Sequence, residues 1–96
     1  MNKHEILNKI KTHKEDIRRF DAKSIGLFGS FAKGRQHKKS DIDILVKFQN
    51  KTFDNYMDLK FYLERLLKKK VDLVIEENLR PELRGVKNEA EYVKIP

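Results

Sequence analysis

The sequence predicts a small α/β domain, a mixed sheet of three to four strands packed by helices, occupying residues 1–96 as a single unit. Two observations lead there. Apolar residues at helical spacing alternate along the chain with short β-branched runs. That alternation is the pattern of helices layered on a sheet. A chain of 96 residues has room for one compact core and little else.

The elements follow in order. Over residues 3–20, Ile6, Leu7, Ile10, Ile17 and Phe20 recur at close to the 3.6-residue period, so one amphipathic helix is expected. Asn2 followed by Glu5 has the form of a capping box at its start. SIGLFG, residues 24–29, reads as a buried strand closed by glycine. The polar, basic segment 30–40 predicts a short helical turn and a loop. DIDILVKF, residues 41–48, predicts a second strand with Ile42, Ile44, Val46 and Phe48 on the buried face. Residues 53–69 place Tyr56, Leu59, Leu63, Leu66 and Leu67 on one helical face behind Thr52 as N-cap. The aromatic residues Phe53, Tyr56, Phe61 and Tyr62 share this helix and read as core or interface. Lys68, Lys69 and Lys70 suit its C-terminal end, where cations meet the negative pole of the dipole. VDLVI, residues 71–75, predicts a third strand. Pro81 suits a helix first turn, so residues 81–90 are expected to form one short helix. EYVKI at the end is expected as a short strand or an extended tail.

Composition excludes several function classes. There is no cysteine, which removes disulfides, zinc–thiolate sites and thiol nucleophiles. His4, His13 and His37 are far apart and fit no ligand spacing. No apolar run approaches the roughly 18 residues that span a bilayer, and the N-terminus lacks a signal-peptide core. A cytoplasmic protein with no membrane partner is expected. The net charge of +7 suits nucleotides, nucleic acid or an acidic partner, but no nucleic-acid motif accompanies it.

The chemistry concentrates in Gly29-Ser30 and, after a ten-residue gap, Asp41-Ile42-Asp43. In a strand, Asp41 and Asp43 project to one side with Cα atoms roughly 6.5–7 Å apart. Adjacent carboxylates repel and stay ionised only beside a counter-charge. Oxygen ligands favour a hard divalent ion such as Mg²⁺, held by one or two carboxylates and by substrate phosphates. Asp72 would join them if its strand neighbours the second one. Three carboxylates can hold two ions in the clamp used for in-line phosphoryl displacement, with Asp72 placed to take a hydroxyl proton. Glycine at a strand end lets a ligand approach the backbone, and the following turn offers N–H groups to an anion. Ser30 adds a hydroxyl, and Lys33, Arg35, Lys38 and Lys39 add positive charge. Each piece has a plainer reading: charged residues guard a sheet edge, a strand-start aspartate caps a loop, lysines coat a surface. Glu76 reads as a solvated residue and not as a further ligand. The linked set is what points to a metal–triphosphate site.

The stretch from Gly29 to Val46, with its Gly-Ser, the basic residue before Gly34, and Ser40-Asp41-Ile42-Asp43, resembles the signature of the minimal nucleotidyltransferases of the DNA polymerase β superfamily. Asp72 and the closing segment 79–93 extend the resemblance over nearly the whole chain. The resemblance implies a polymerase β-like fold that transfers a nucleoside monophosphate, AMP from ATP, with Mg²⁺. It implies Asp41, Asp43 and Asp72 as catalytic metal ligands, and Gly29, Ser30, Lys33 and Ser40 as triphosphate-binding residues. Lys33 departs from the more usual arginine and lacks its planar fork. Members of this size resemble type VII antitoxins paired with a helical HEPN-class toxin. They neutralise it by adenylylating a tyrosine or by simple occlusion. A template-directed polymerase is not expected, since 96 residues leave no room for primer-binding and thumb-like subdomains.

Overall fold

The computed structural model describes residues 1–83 and 85–95. The chain runs α1 (Lys3–Thr12), α2 (Lys14–Arg18), β1 (Ala22–Phe28), α3 (Gly29–Ala32), β2 (Ile42–Phe48), α4 (Phe53–Leu67), β3 (Val71–Ile75), two 3₁₀ turns (Glu76–Asn78 and Pro81–Leu83), α5 (Val86–Glu89) and β4 (Glu91–Lys94). The strands form one sheet in the order β3-β2-β1-β4. β1 is antiparallel to both β2 and β4, and β3 is parallel to β2. The mixed sheet expected from the sequence is therefore present, with four strands.

The parallel pair dictates α4. Two parallel neighbours need a crossover long enough to return the chain, and the 15 residues of α4 supply it. Thr52 caps its start, its hydroxyl accepting the Asn55 N–H at 3.0 Å, a contact worth about 1 kcal/mol. Leu59, Leu63 and Leu67 are buried, and the Tyr56 hydroxyl donates to the Leu73 carbonyl at 2.6 Å. The helix turns into β3 through Lys68 in the left-handed conformation (φ 55°). The Glu64 carboxylate accepts the Val71 N–H at 3.0 Å, fixing where β3 begins.

Ile42, Ile44, Val46 and Phe48 are buried as their spacing predicts, and they join Ile6, Ile10, Ile17, Ile25, Leu27 and Leu73 in one core. Leu45 projects from the other side of β2 and is equally buried.

Three expectations are corrected. The first helical segment is two helices, not one. The His13 ring engages the Lys9 carbonyl at 2.7 Å, and His13 leaves helical geometry (φ −114°, ψ 24°). A side chain competing for a backbone carbonyl outweighs apolar periodicity there. Residues 81–90 are not one helix but a 3₁₀ turn and the separate α5, whose first turn closes on the Gly85 carbonyl. Asp41 lies just outside β2, which starts at Ile42. The Ile42 N–H is taken by the Lys70 carbonyl at 3.0 Å. Asn2 does cap α1, its side chain accepting the Glu5 N–H at 2.9 Å.

Candidate active site

The site sits where β1, β2 and β3 bring their ends together, on the sheet face opposite α4. In the ladder Phe28 pairs with Asp43, and Asp43 pairs with Asp72. Neighbouring strands are about 4.8 Å apart. The two carboxylates are thus side by side, because a parallel register set by the length of α4 puts the second residue of each strand at the same height.

Gly29 follows Phe28 directly and takes φ +73°, a left-handed conformation. A Cβ on Gly29 would lie 2.1 Å from Asp43 Oδ2 and 2.8 Å from its Cγ. Only a residue without a side chain fits both that geometry and that approach. The turn beyond is α3. Phe31 is buried and anchors it to the core. Lys33 N–H donates to the Gly29 carbonyl at 3.2 Å and Arg35 N–H to the Ser30 carbonyl at 2.8 Å. Phe31 was not singled out by sequence; a lone large apolar residue in a basic stretch is the signal that marks it.

Asp43 is half-buried, and its carboxyl is pushed up from its ordinary 3.8 to about 6. Burial is the main cause, followed by the charges of Asp72 and Asp41 and by hydrogen bonding with the Asp72 side chain. Asp41 and Asp72 are exposed. Asp41 therefore reaches Asp43 through its charge even though it lies outside the strand. Among the described residues none of these three carboxylates is in an ion pair, in a chain with 22 lysines and arginines. Nor, among the described residues, do three or more acidic or histidine side chains already converge on one metal position. The fit to a hard cation rests on the donors themselves. They are crowded carboxylate oxygens. The Asp43 carboxyl is pushed up to about 6 by burial and by its two neighbours, and none of the three is in an ion pair among the described residues.

The basic loop joins α3 to β2, the elements that carry Gly29 and Asp43. Arg35, Lys38 and Lys39 are exposed. Lys33, expected at the triphosphate, pairs with Glu89 of α5 at 3.2 Å, both side chains exposed. Ser40 closes a tight turn, its hydroxyl accepting the His37 N–H at 3.0 Å while its own N–H donates to the His37 carbonyl at 2.9 Å. Lys69 Nζ donates to the Lys38 carbonyl at 2.8 Å, tying the loop to the end of α4. Glu76, expected to be solvated, is largely covered and pairs with Lys87 at 3.0 Å.

Tyr92 was missed by sequence reasoning. Its ring lies on Gly26, where a Cβ would meet Cε1 at 2.7 Å. Gly26 and Phe28 share the face of Asp43 and Leu45, so this ring helps to cover that side of the sheet. Burial and then the Glu76 charge raise the Tyr92 hydroxyl pKa.

A mixed sheet with paired carboxylates at the second residue of two parallel strands, next to a turn opened by glycine, is at the level of class a scaffold for moving phosphate-bearing groups. The chain belongs to the nucleotidyltransferase family: the model described as nucleotidyltransferase domain matches residues 10–95. The protein adenylyltransferase MntA of Thermococcus cleftensis is 38% identical over 92 residues, covering 93% of each chain. A solved structure of a candidate minimal nucleotidyltransferase superposes with TM-score 0.75 at 34% identity, covering 95% of both chains. A toxin-antitoxin structure with AMP-PNP superposes with TM-score 0.69 at 28% identity, covering 96% of this chain and 72% of that one. Among the described residues no helix is long and apolar enough to cross a membrane.

Proposed function

We propose that this nucleotidyltransferase is a protein adenylyltransferase that transfers AMP from ATP to a hydroxyl, a tyrosine of a helical HEPN-class toxin, and so acts as the toxin's type VII-like antitoxin. The carrying observation is the Asp43–Asp72 pair at one height in the parallel ladder, beside Gly29 and in no ion pair among the described residues. Its relatives support the acceptor class: one is a protein adenylyltransferase, another a toxin-antitoxin assembly with AMP-PNP.

Asp41, Asp43 and Asp72 would hold Mg²⁺, two ions in this reading, which would neutralise the triphosphate and lower the pKa of the acceptor hydroxyl. Gly29 and Ser30 present N–H groups and a hydroxyl to the β- and γ-phosphates. Lys33 exchanges Glu89 for phosphate when nucleotide arrives. Ser40 serves the triphosphate from the loop whose turn it closes. The acceptor oxygen attacks the α-phosphorus, its bond to the bridging oxygen breaks, and pyrophosphate leaves. Asp72, the more exposed member of the pair, takes the hydroxyl proton. The acceptor lies on the partner.

ATP labelled at the α-phosphate, incubated with Mg²⁺, the protein and its toxin, is expected to label the toxin and release pyrophosphate. The Asp41→Asn/Asp43→Asn double variant is expected to stay folded and to transfer no label. Labelling that persists in that variant contradicts the site assignment.

A further inference from the structure

The outer face of α4 has no role in the site. Phe53, Met57 and Phe61 recur every fourth residue and form one ridge along it. Phe53 is 77% exposed and Phe61 49% exposed, two of the large apolar side chains left uncovered by the fold. At the N-terminal end of the ridge, Phe53 borders a recess of about 340 Å³ formed with Lys51, Thr52, Tyr56 and Ile75. Leu59, Leu63 and Leu67 point the other way, into the core. The ridge is therefore surplus to folding, and an uncovered apolar stripe of this kind marks an interaction surface.

The fully exposed charges beside the ridge are sorted along the helix; Lys60 and Glu64 on the same stretch are half-covered, and Glu64 is engaged by the Val71 N–H. Asp54 and Asp58 flank its N-terminal half, and Arg65 and Lys68 its C-terminal half; all four are exposed and none is in an ion pair among the described residues. Such a distribution is self-complementary. Two copies of α4 laid antiparallel about a two-fold axis bring each acidic half against the partner's basic half. The aromatic and methionine side chains then meet around the axis. Ridges four residues apart interdigitate in the commonest helix–helix packing, and an isologous contact requires a patch that complements itself. A different protein attracted by the net charge of +7 would be expected to meet a uniformly basic face, which this is not.

We propose that the exposed face of α4 is a self-association surface, through which two copies of this chain pair antiparallel about a two-fold axis. α4 packs on the sheet face opposite Asp43 and Asp72, so pairing leaves both sites open. One helix per protomer is a small interface, and a weak dimer follows, populated at roughly 0.1–1 mM and dissociating on dilution to about 1 µM.

Sedimentation equilibrium of the full chain across that range is the test. The wild type is expected to pass from monomer to dimer, and Phe61→Glu, at an exposed position, to remain monomeric with an unchanged circular dichroism spectrum. Asp54→Lys/Asp58→Lys and Arg65→Glu/Lys68→Glu are each expected to self-associate less than wild type, yet to form a mixed dimer when combined. A wild type that stays monomeric at 1 mM overturns the proposal. So does a dimer that Phe61→Glu leaves intact, or a pair of charge variants that associate no better mixed than alone. If the wild type is monomeric and Phe61→Glu instead abolishes toxin binding, the face belongs to the toxin. None of these readouts depends on adenylyl transfer.

Discussion

Asp43→Asn is expected to make the folded protein both more stable and inactive. The Asp43 carboxyl is pushed up to about 6 in the fold against 3.8 ordinarily, so between those values the folded state binds more protons than the unfolded. Stability therefore falls as pH rises through that window, and the cost is fully present above about pH 6. Two pKa units correspond to about 3 kcal/mol, discounted to ~1–2 kcal/mol because the side chain is half-exposed and screened. Asparagine keeps the shape and removes the charge. Urea unfolding at pH 7.5 without divalent ions should show the gain, and unfolding at pH 4 should show little of it. Transfer should fall roughly 10³-fold, because several kcal/mol of charge stabilisation at the phosphates are lost. A variant that is destabilised at pH 7.5, or that retains transfer, contradicts the role given to this carboxylate. Opposite signs for stability and activity are the signature of a group arranged for a ligand and not for the fold.

Gly29→Ala is expected to be the most damaging single methyl group in the chain. The left-handed φ of +73° alone costs an L-residue about 1–2 kcal/mol. The larger effect is on function, since the new Cβ would stand 2.1 Å from Asp43 Oδ2 and must displace that carboxylate. The expected loss is at least about tenfold in ATP affinity in the presence of Mg²⁺, an equivalent of ~1.4 kcal/mol, with transfer reduced further. Gly34→Ala is the control. Its φ is +68°, and nothing lies within 4 Å of the added Cβ. It should show the backbone cost and keep nucleotide binding. Calorimetric titration of the two variants with ATP separates strain from obstruction. Equal affinities would mean that the approach of Gly29 to Asp43 has no part in binding.

Much of this geometry was legible in the sequence, and the residues explain why. The bounds of β3 and the Thr52 cap followed from local chemistry: a β-branched run behind a basic helix end, and a hydroxyl ahead of an amphipathic helix. The Asp43–Asp72 pairing was conditional on β3 neighbouring β2, and the crossover through α4 met that condition. What escaped depended on contacts between distant residues. Asp41 falls outside β2 because the ladder starts where Lys70 reaches Ile42. The break at His13 is a side-chain bond that periodicity does not register. Lys33 meets Glu89, and Tyr92 meets Gly26, because the last segment folds back over β1. No local pattern encodes that return.

The central claim is that Asp43, crowded by Asp72 and Asp41, is held ready for a divalent cation. Following the Asp43 carboxyl carbon by NMR through a pH titration, with and without Mg²⁺ and ATP, tests it most directly. The account predicts a midpoint near 6 in their absence and a clear downward shift when both are present. A midpoint at the ordinary carboxylate value, unmoved by either, would contradict it.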